Sequence, residues 1–207
     1  MNRSTRLLEA TLIALTLLVA PVGGQQDNAA PTTGQMSKSS LRKVYEEDQE
    51  NRSVADRAKC RELVRQLISA GKVQSGEDYY YEGFIFQHGQ EPSDYLYAHV
   101  LAVTAVDKGL HGAIWLSAAT LDRCLRSIKQ PQIFGTQVGS LDAGPTTQEP
   151  YDKEMVSDSL RAMWCVAPYA TQAKVVNDVR AGKEFHSTRI CPLPEAELDK
   201  KRIFALK

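Results

Sequence analysis

The residues with the strongest chemical case fall in one stretch of the chain. Asp122, Arg123 and Arg126 lie close together, and Gln132, Thr136 and Gln137 follow just behind Pro131. Asp122 and Arg126 are spaced i, i+4 and share a helix face, where an exposed ion pair contributes ~0.3–0.5 kcal/mol. An arginine anchored beside such a pair presents a planar fork that suits a carboxylate, a phosphate or loop carbonyls. Gln132, Thr136 and Gln137 are neutral hydrogen-bonding groups. Side chains of this kind either tie a loop to its scaffold or bind the amides of a ligand. Gly135 between them permits a positive φ, which turns the loop back on the helix. The structural role carries more weight, because polar groups in an ordered loop must find partners. Arg123, Gln132, Thr136 and Gln137 are the ligand-binding candidates.

Catalysis has a thinner basis. The histidines are His88, His99, His111 and His186, and none stands in a metal-binding spacing such as H-E-x-x-H. No metal and no cofactor is expected. His99 is in phase with Tyr95, Ala102 and Val106 on an apolar segment, which reads as a core histidine bonded to a neighbour. Its catalytic version pairs His99 as a base with Asp122 as its orienter, in a hydrolase-type site near Gln137. That version needs a nucleophile or a water. No G-x-S-x-G elbow supplies a serine, and Ser117 and Thr120 on the neighbouring helix are the candidate hydroxyls. Phosphate-loop and dinucleotide fingerprints do not occur.

The elements that must position these residues read as helices. Leu41 to Arg52 is charged and suited to helix. Ser53 to Asp56 fits a capping box, and Cys60, Leu63, Val64, Leu67 and Ile68 then form an apolar stripe that ends at Gly71. The aromatic run Asp78 to Gln87 predicts a short helix rather than a strand. Tyr95 to Lys108 is apolar almost all round, which predicts the buried central helix. Gly112 to Ile128 carries the stripe Ile114, Ala118, Leu121, Leu125 and Ile128. A loop over 134–150 is long enough to suggest a purpose. Helices over 151–164 and 170–181 complete the pattern, the first with Val156, Leu160 and Met163 in phase. The fold class is all-α: an irregular bundle, or a short array of helical hairpins of the TPR or Sel1 kind. In a hairpin array, Tyr79, Tyr80, Tyr81, Tyr95, Tyr97 and Trp115 line a concave face; in a bundle they fill the core.

The N-terminal segment predicts export. Arg3 and Arg6 precede an apolar run from Leu7 to Val22, and small residues follow up to Gly24, which reads as a signal peptide over 1–24. The run is shorter than the ~20 residues that span a bilayer, so no membrane span is expected after its removal. A linker is expected over 25–40, rich in small and polar residues, followed by a single helical domain over 41–190 and an extended tail over 191–207. The protein is expected to be periplasmic or secreted. Four cysteines in an oxidising compartment allow three pairings. Cys165 with Cys191 is the preferred bridge, worth roughly 3 kcal/mol in the chain-entropy model. Cys60 and Cys124 form either a second bridge or two small buried hydrophobes. The 207 residues carry 25 basic and 25 acidic side chains, intermixed along the chain. That balance gives no electrostatic case for nucleic acid.

The segment Thr120-Leu121-Asp122-Arg123 followed by Pro131-Gln132-Ile133-Phe134-Gly135-Thr136-Gln137 resembles an uncharacterised bacterial family, a domain of unknown function. The family's core is Asp-Arg, then Pro-Gln-x-[Tyr/Phe]-Gly-Thr-Gln. The similarity runs from about Asp48 to Gln172 and takes in Gln148-Glu149-Pro150-Tyr151-Asp152 and Ser157-Asp158 with Arg161. The resemblance implies a helical fold and export, and it implies no activity. The function expected from all of this is a module of the bacterial envelope that binds an as yet unknown protein or peptide or acts as a scaffold. The alternatives are the hydrolase-type site around His99, Asp122 and Gln137, and a purely structural envelope protein.

Overall fold

The computed structural model describes residues 38–50, 53–140 and 144–192. The signal-peptide reading, most of the linker and nearly all of the tail fall on residues outside these. The described part is all-α: α1 (Lys38–Glu50), α2 (Val54–Ser69), α3 (Gly76–Gln87), α4 (Pro92–Asp107), a 3₁₀ turn at His111–Ala113, α5 (Ile114–Ser127), α6 (Asp158–Met163) and α7 (Tyr169–Arg180). Among these residues the only extended pairings are isolated bridges. Lys38–Ser40, assigned to the linker from sequence, already belong to α1.

Local chemistry sets the helix boundaries. Ser53 caps α2 by accepting from the Asp56 amide. Ser75 and Asp78 form a full capping box on α3. Gly71 and Gly109 follow the ends of α2 and α4 at positive φ, which glycine adopts without strain. Packing then fixes the order: α3 lies against α1, α2 and α4, and α4 lies between α3 and α5. Gly83 makes the close approach possible, since a Cβ there would press on Leu116 of α5 and the backbone of α4 at Ala98. The arrangement is an irregular bundle rather than a stack of equivalent hairpins. The tyrosines accordingly serve the core. Tyr80 and Tyr81 are buried, and Tyr79 and Tyr97 pack against the same clusters.

Three sequence expectations change. Helix α4 is central, but it is not enclosed: Leu96, Val100 and Val103 are about half exposed along one side. Its small residues Ala98, Ala102 and Ala105 face the neighbouring helices instead, because only they permit backbones to pack so closely. Residues 151–157 are not helical. Tyr151 bridges to Gln132, and the chain turns until Ser157 caps the short α6. Leu160 and Met163, expected to face a core, are exposed. The stripe on α5 is also shifted. Its buried side is Leu116, Ser117, Ala118, Ala119, Thr120 and Asp122, while Ile128 is half exposed. Small and polar residues carry this contact, which a search for large apolar residues does not find.

The cysteines resolve into one bridge and two thiols. Cys165 and Cys191 are bonded, with their Cα atoms 5.2 Å apart. The bridge holds an extended strip beside α6. Ala167 donates to the Thr188 carbonyl and Ile190 to the Cys165 carbonyl. Cys60 and Cys124 do not pair with each other; both are free and partly buried. Burial pushes both thiols up in pKa, and the carboxylates of Asp48, Glu47 and Asp56 push Cys60 further.

Buried charge is the least predictable part of the interior. Asp48, in a run read from sequence as a solvated face, is fully buried; its Oδ2 lies 2.6 Å from Nδ1 of His88 and ties the end of α1 to the end of α3. Glu82 on α3 is also fully buried, and neither carboxyl oxygen has a hydrogen-bond partner. Burial, with a smaller push from the charge of Asp78, lifts its pKa to about 9. The folded state therefore holds a proton that the unfolded chain releases near its ordinary value of 4.5. The stabilising effect of that proton is full below the unfolded value and is lost as pH rises towards the folded one. The slope is up to ~1.4 kcal/mol per pH unit across that window. Glu82→Gln should remove the slope and leave the variant more stable than the parent at pH 8. Urea denaturation at pH 5, 7 and 8 checks this, and parallel pH profiles for the two proteins would contradict it.

Candidate functional site

The site is built on one carboxylate. Asp122 leaves α5 on its buried side and is fully enclosed. Oδ1 accepts from the amides of Ile133 (2.8 Å) and Phe134 (3.0 Å). Oδ2 accepts from the amide (2.9 Å) and the hydroxyl (2.8 Å) of Thr136. Burial raises the pKa of Asp122, opposed by these four bonds. The side chain thus closes the turn after α5 by accepting from four of the turn's donors. Gly135 sits inside the turn at φ +78°. A Cβ there would collide with Gln172 and with the ring of Tyr151, so glycine is required on two counts.

Glutamines extend the clamp. Gln132, fully buried, donates to the carbonyls of Gln137 and Gln148 and accepts from the Gln137 amide (3.0 Å). Gln148 donates to the Gly135 carbonyl and to Oε1 of Gln172. Gln172 on α7 donates to the carbonyls of Phe134 (2.9 Å) and Ala167 (2.7 Å). A primary amide suits this position because it offers two donors and an acceptor without charge. Phe134, turned inward by the same loop, stacks on Trp164 and packs with Ala118, Val156 and Val166. The loop therefore joins α6 and α7 to the bundle.

Gln137 and Arg123 face the other way. Gln137 donates to the Ala119 carbonyl (3.0 Å) and to Thr136 Oγ1 (3.1 Å), and accepts from Arg123 Nε (3.1 Å). Arg123 Nη1 donates to the Gln87 carbonyl (2.6 Å). Burial lowers the pKa of the guanidinium, and nearby Arg126 lowers it further; the group stays charged, as arginine does. Arg123, Thr136 and Gln137 line one cleft of about 210 Å³ together with Trp115, Phe185 and Thr188.

The sequence candidates therefore divide. Arg123, Thr136 and Gln137 meet at the cleft. Gln132 lies behind it as part of the clamp, and Asp122 anchors the loop rather than facing the cleft. His99 is not at the cleft either: its Nδ1 lies 2.8 Å from the Ser117 carbonyl. No hydrogen bond joins His99 to Asp122, whose two oxygens both serve the loop. Ser117 and Thr120 bond back to carbonyls of their own helix. The wall formed by Phe185 and Thr188 was not read from the sequence, although pairing Cys165 with Cys191 would have brought that segment to residues 165–167. Gln148 and Gln172 gave no local signal, because their partners lie far along the chain.

Comparison with protein-family models, with curated proteins and with solved structures finds no match.

The clamp makes a direct prediction. Asp122→Asn keeps the shape but puts an amide NH₂ against N–H or O–H donors. It should cost about 3 kcal/mol of stability, by leaving buried donors unpaired. A urea midpoint within error of the parent would show that the four bonds do not support the fold.

Proposed function

We propose that the protein is an exported binding module of the bacterial envelope whose ligand, a peptide or a segment of a partner protein, enters the cleft beside the Asp122-anchored loop. The observation that carries this reading is the meeting of Arg123, Thr136 and Gln137 with two aromatic side chains, Trp115 and Phe185, along one hollow. Phe185 is 55% exposed at its rim. Aromatic and arginine side chains supply most binding energy in recognition sites, because they offer large rigid area and directed donors. The loop that forms one wall is held from behind by Asp122 and Gln132, so a ligand meets a surface already in place. Such preorganisation lowers the ordering cost of binding.

Export is supported by the Cys165–Cys191 bridge, which persists in oxidising compartments. Among the described residues no helix is long and apolar enough to cross a membrane. A larger surface hollow, of about 520 Å³ between α1 and α2, is lined by Glu47, Glu50, Asp56, Lys59 and Cys60. No aromatic side chain lines it, and Lys59 is paired there with Asp56 at 3.0 Å, so the cleft is the better recognition site.

A pool of random tetrapeptides added to the ¹⁵N-labelled protein tests the proposal. The side-chain amide of Gln137 and the indole N–H of Trp115 should shift, while the indole of Trp164 stays in place. Arg123→Ala should abolish the shifts. Perturbations confined to other faces, or none at millimolar peptide, would refute the reading.

A further inference from the structure

The charge balance around the cleft is uneven. Arg123 makes its two hydrogen bonds to neutral oxygens, Gln137 Oε1 and the Gln87 carbonyl. Among the described residues no carboxylate pairs with it, and none lines the cleft. Its guanidinium also lies 6.0 Å from the ring centroid of Tyr95, and among the described residues its Nη2 makes no hydrogen bond. Arg189 adds a second positive charge, stacked 4.2 Å over the ring of Trp115. Among the described residues two further polar groups, of residues that line the cleft, have no hydrogen-bond partner: the indole Nε1 of Trp115 and the hydroxyl of Thr188, a residue only 2% exposed. Buried donors normally find an acceptor, and leaving them without one is costly. Here donors outnumber acceptors, the charge is positive, and the acid that would neutralise it is absent from the walls.

Size narrows the class of ligand. About 210 Å³ lies below the ~300–1,000 Å³ of pockets that enclose drug-sized molecules. The cleft suits the end of a chain better than its middle. From these observations we infer that the cleft captures the terminal carboxylate of a peptide, with Arg123 Nη2 and the Thr188 hydroxyl as donors and Phe185 packing against the last side chain. Capture of a C-terminal carboxylate by convergent donors is a recurrent recognition mode, and a charge-assisted bond to arginine is stronger than a neutral one. This inference rests on the cleft being the binding site.

The experiment uses the purified full chain with its disulfide intact. Binding of Ala-Ala-Phe as the free acid is compared with the same tripeptide amidated at its C-terminus, with sodium acetate and with inorganic phosphate. Signals of Gln137 and Trp115 are followed by NMR. The free acid should bind at least tenfold more tightly than the amide and than acetate or phosphate. Thr188→Val removes a hydroxyl that has no protein partner and keeps the backbone bond to Ala167, so it should fold normally. It should weaken the free acid three- to tenfold and leave the amide unchanged. Equal binding of acid and amide would overturn the carboxylate assignment and leave the binding-module reading standing. Equal binding of acetate or phosphate and the tripeptide acid would overturn the peptide end in favour of a free anion. A cleft silent to every probe would overturn both readings.

Discussion

The structure depends on one negative charge placed where water cannot reach it. A carboxylate sealed inside a protein is unfavourable unless enough donors surround it. Asp122 meets that condition with three backbone amides and one hydroxyl, all from the turn that follows its own helix. The constraint works in both directions. The charge is tolerable only if the loop takes this shape, and the loop's inward-pointing amides are satisfied only if the carboxylate is there. The turn at residues 132–137, on which the next part of the chain is built, is placed through this agreement. Helices α6 and α7 have few direct contacts with the bundle. They reach it through Gln132, Gln148 and Gln172 and through the packing of Phe134 against Trp164.

This dependence explains how one sequence motif serves two ends. The inward side of the loop is consumed by the fold: Asp122, Gln132 and the amide of Thr136 have no capacity left for a ligand. The outward side presents Gln137 and, pinned by it, Arg123. A polar side chain that is bonded on one side and open on the other is well suited to recognition, because its orientation does not have to be set at the moment of binding. The spacing of the motif is therefore dictated by the loop, and the cleft uses the surface that results.

Sequence reading recovered the parts of the molecule that depend on local order. Periodicity located α2, α4 and α5, Ser53 and Gly71 marked the ends of α2, and the density of polar residues around Asp122 marked the loop. It also paired Cys165 with Cys191. It did not recover what depends on distant partners. Gln148 and Gln172 are ordinary glutamines until the fold brings both to Gly135. Asp48 and Glu82 belong to charged or aromatic runs whose burial is decided by helices packed from elsewhere. The helix expected over 151–164 is cut down to α6 at Asp158–Met163, because Tyr151 is recruited by the bridge to Gln132, a tertiary demand that overrides the apolar phase of Val156, Leu160 and Met163. His99 is partly buried, as its phase suggested, whereas Asp122 is fully buried although it lies off the apolar stripe read for α5, and phase along a helix does not say which partner each one meets.

The two free thiols bear on the durability of the bridge between Cys165 and Cys191. Reshuffling of a disulfide begins with attack by a thiolate, and its rate follows the fraction of thiol that is ionised. Burial, together with the acidic neighbours of Cys60, raises the pKa of both spare thiols, so that less of each is ionised although both are only partly buried. A protein with an odd assortment of sulfurs in an oxidising medium would ordinarily be prone to scrambled isomers and covalent dimers. In this chain the same helix packing that partly covers Cys60 and Cys124 lowers their ionised fraction, and so slows attack on the tether of the distal strip.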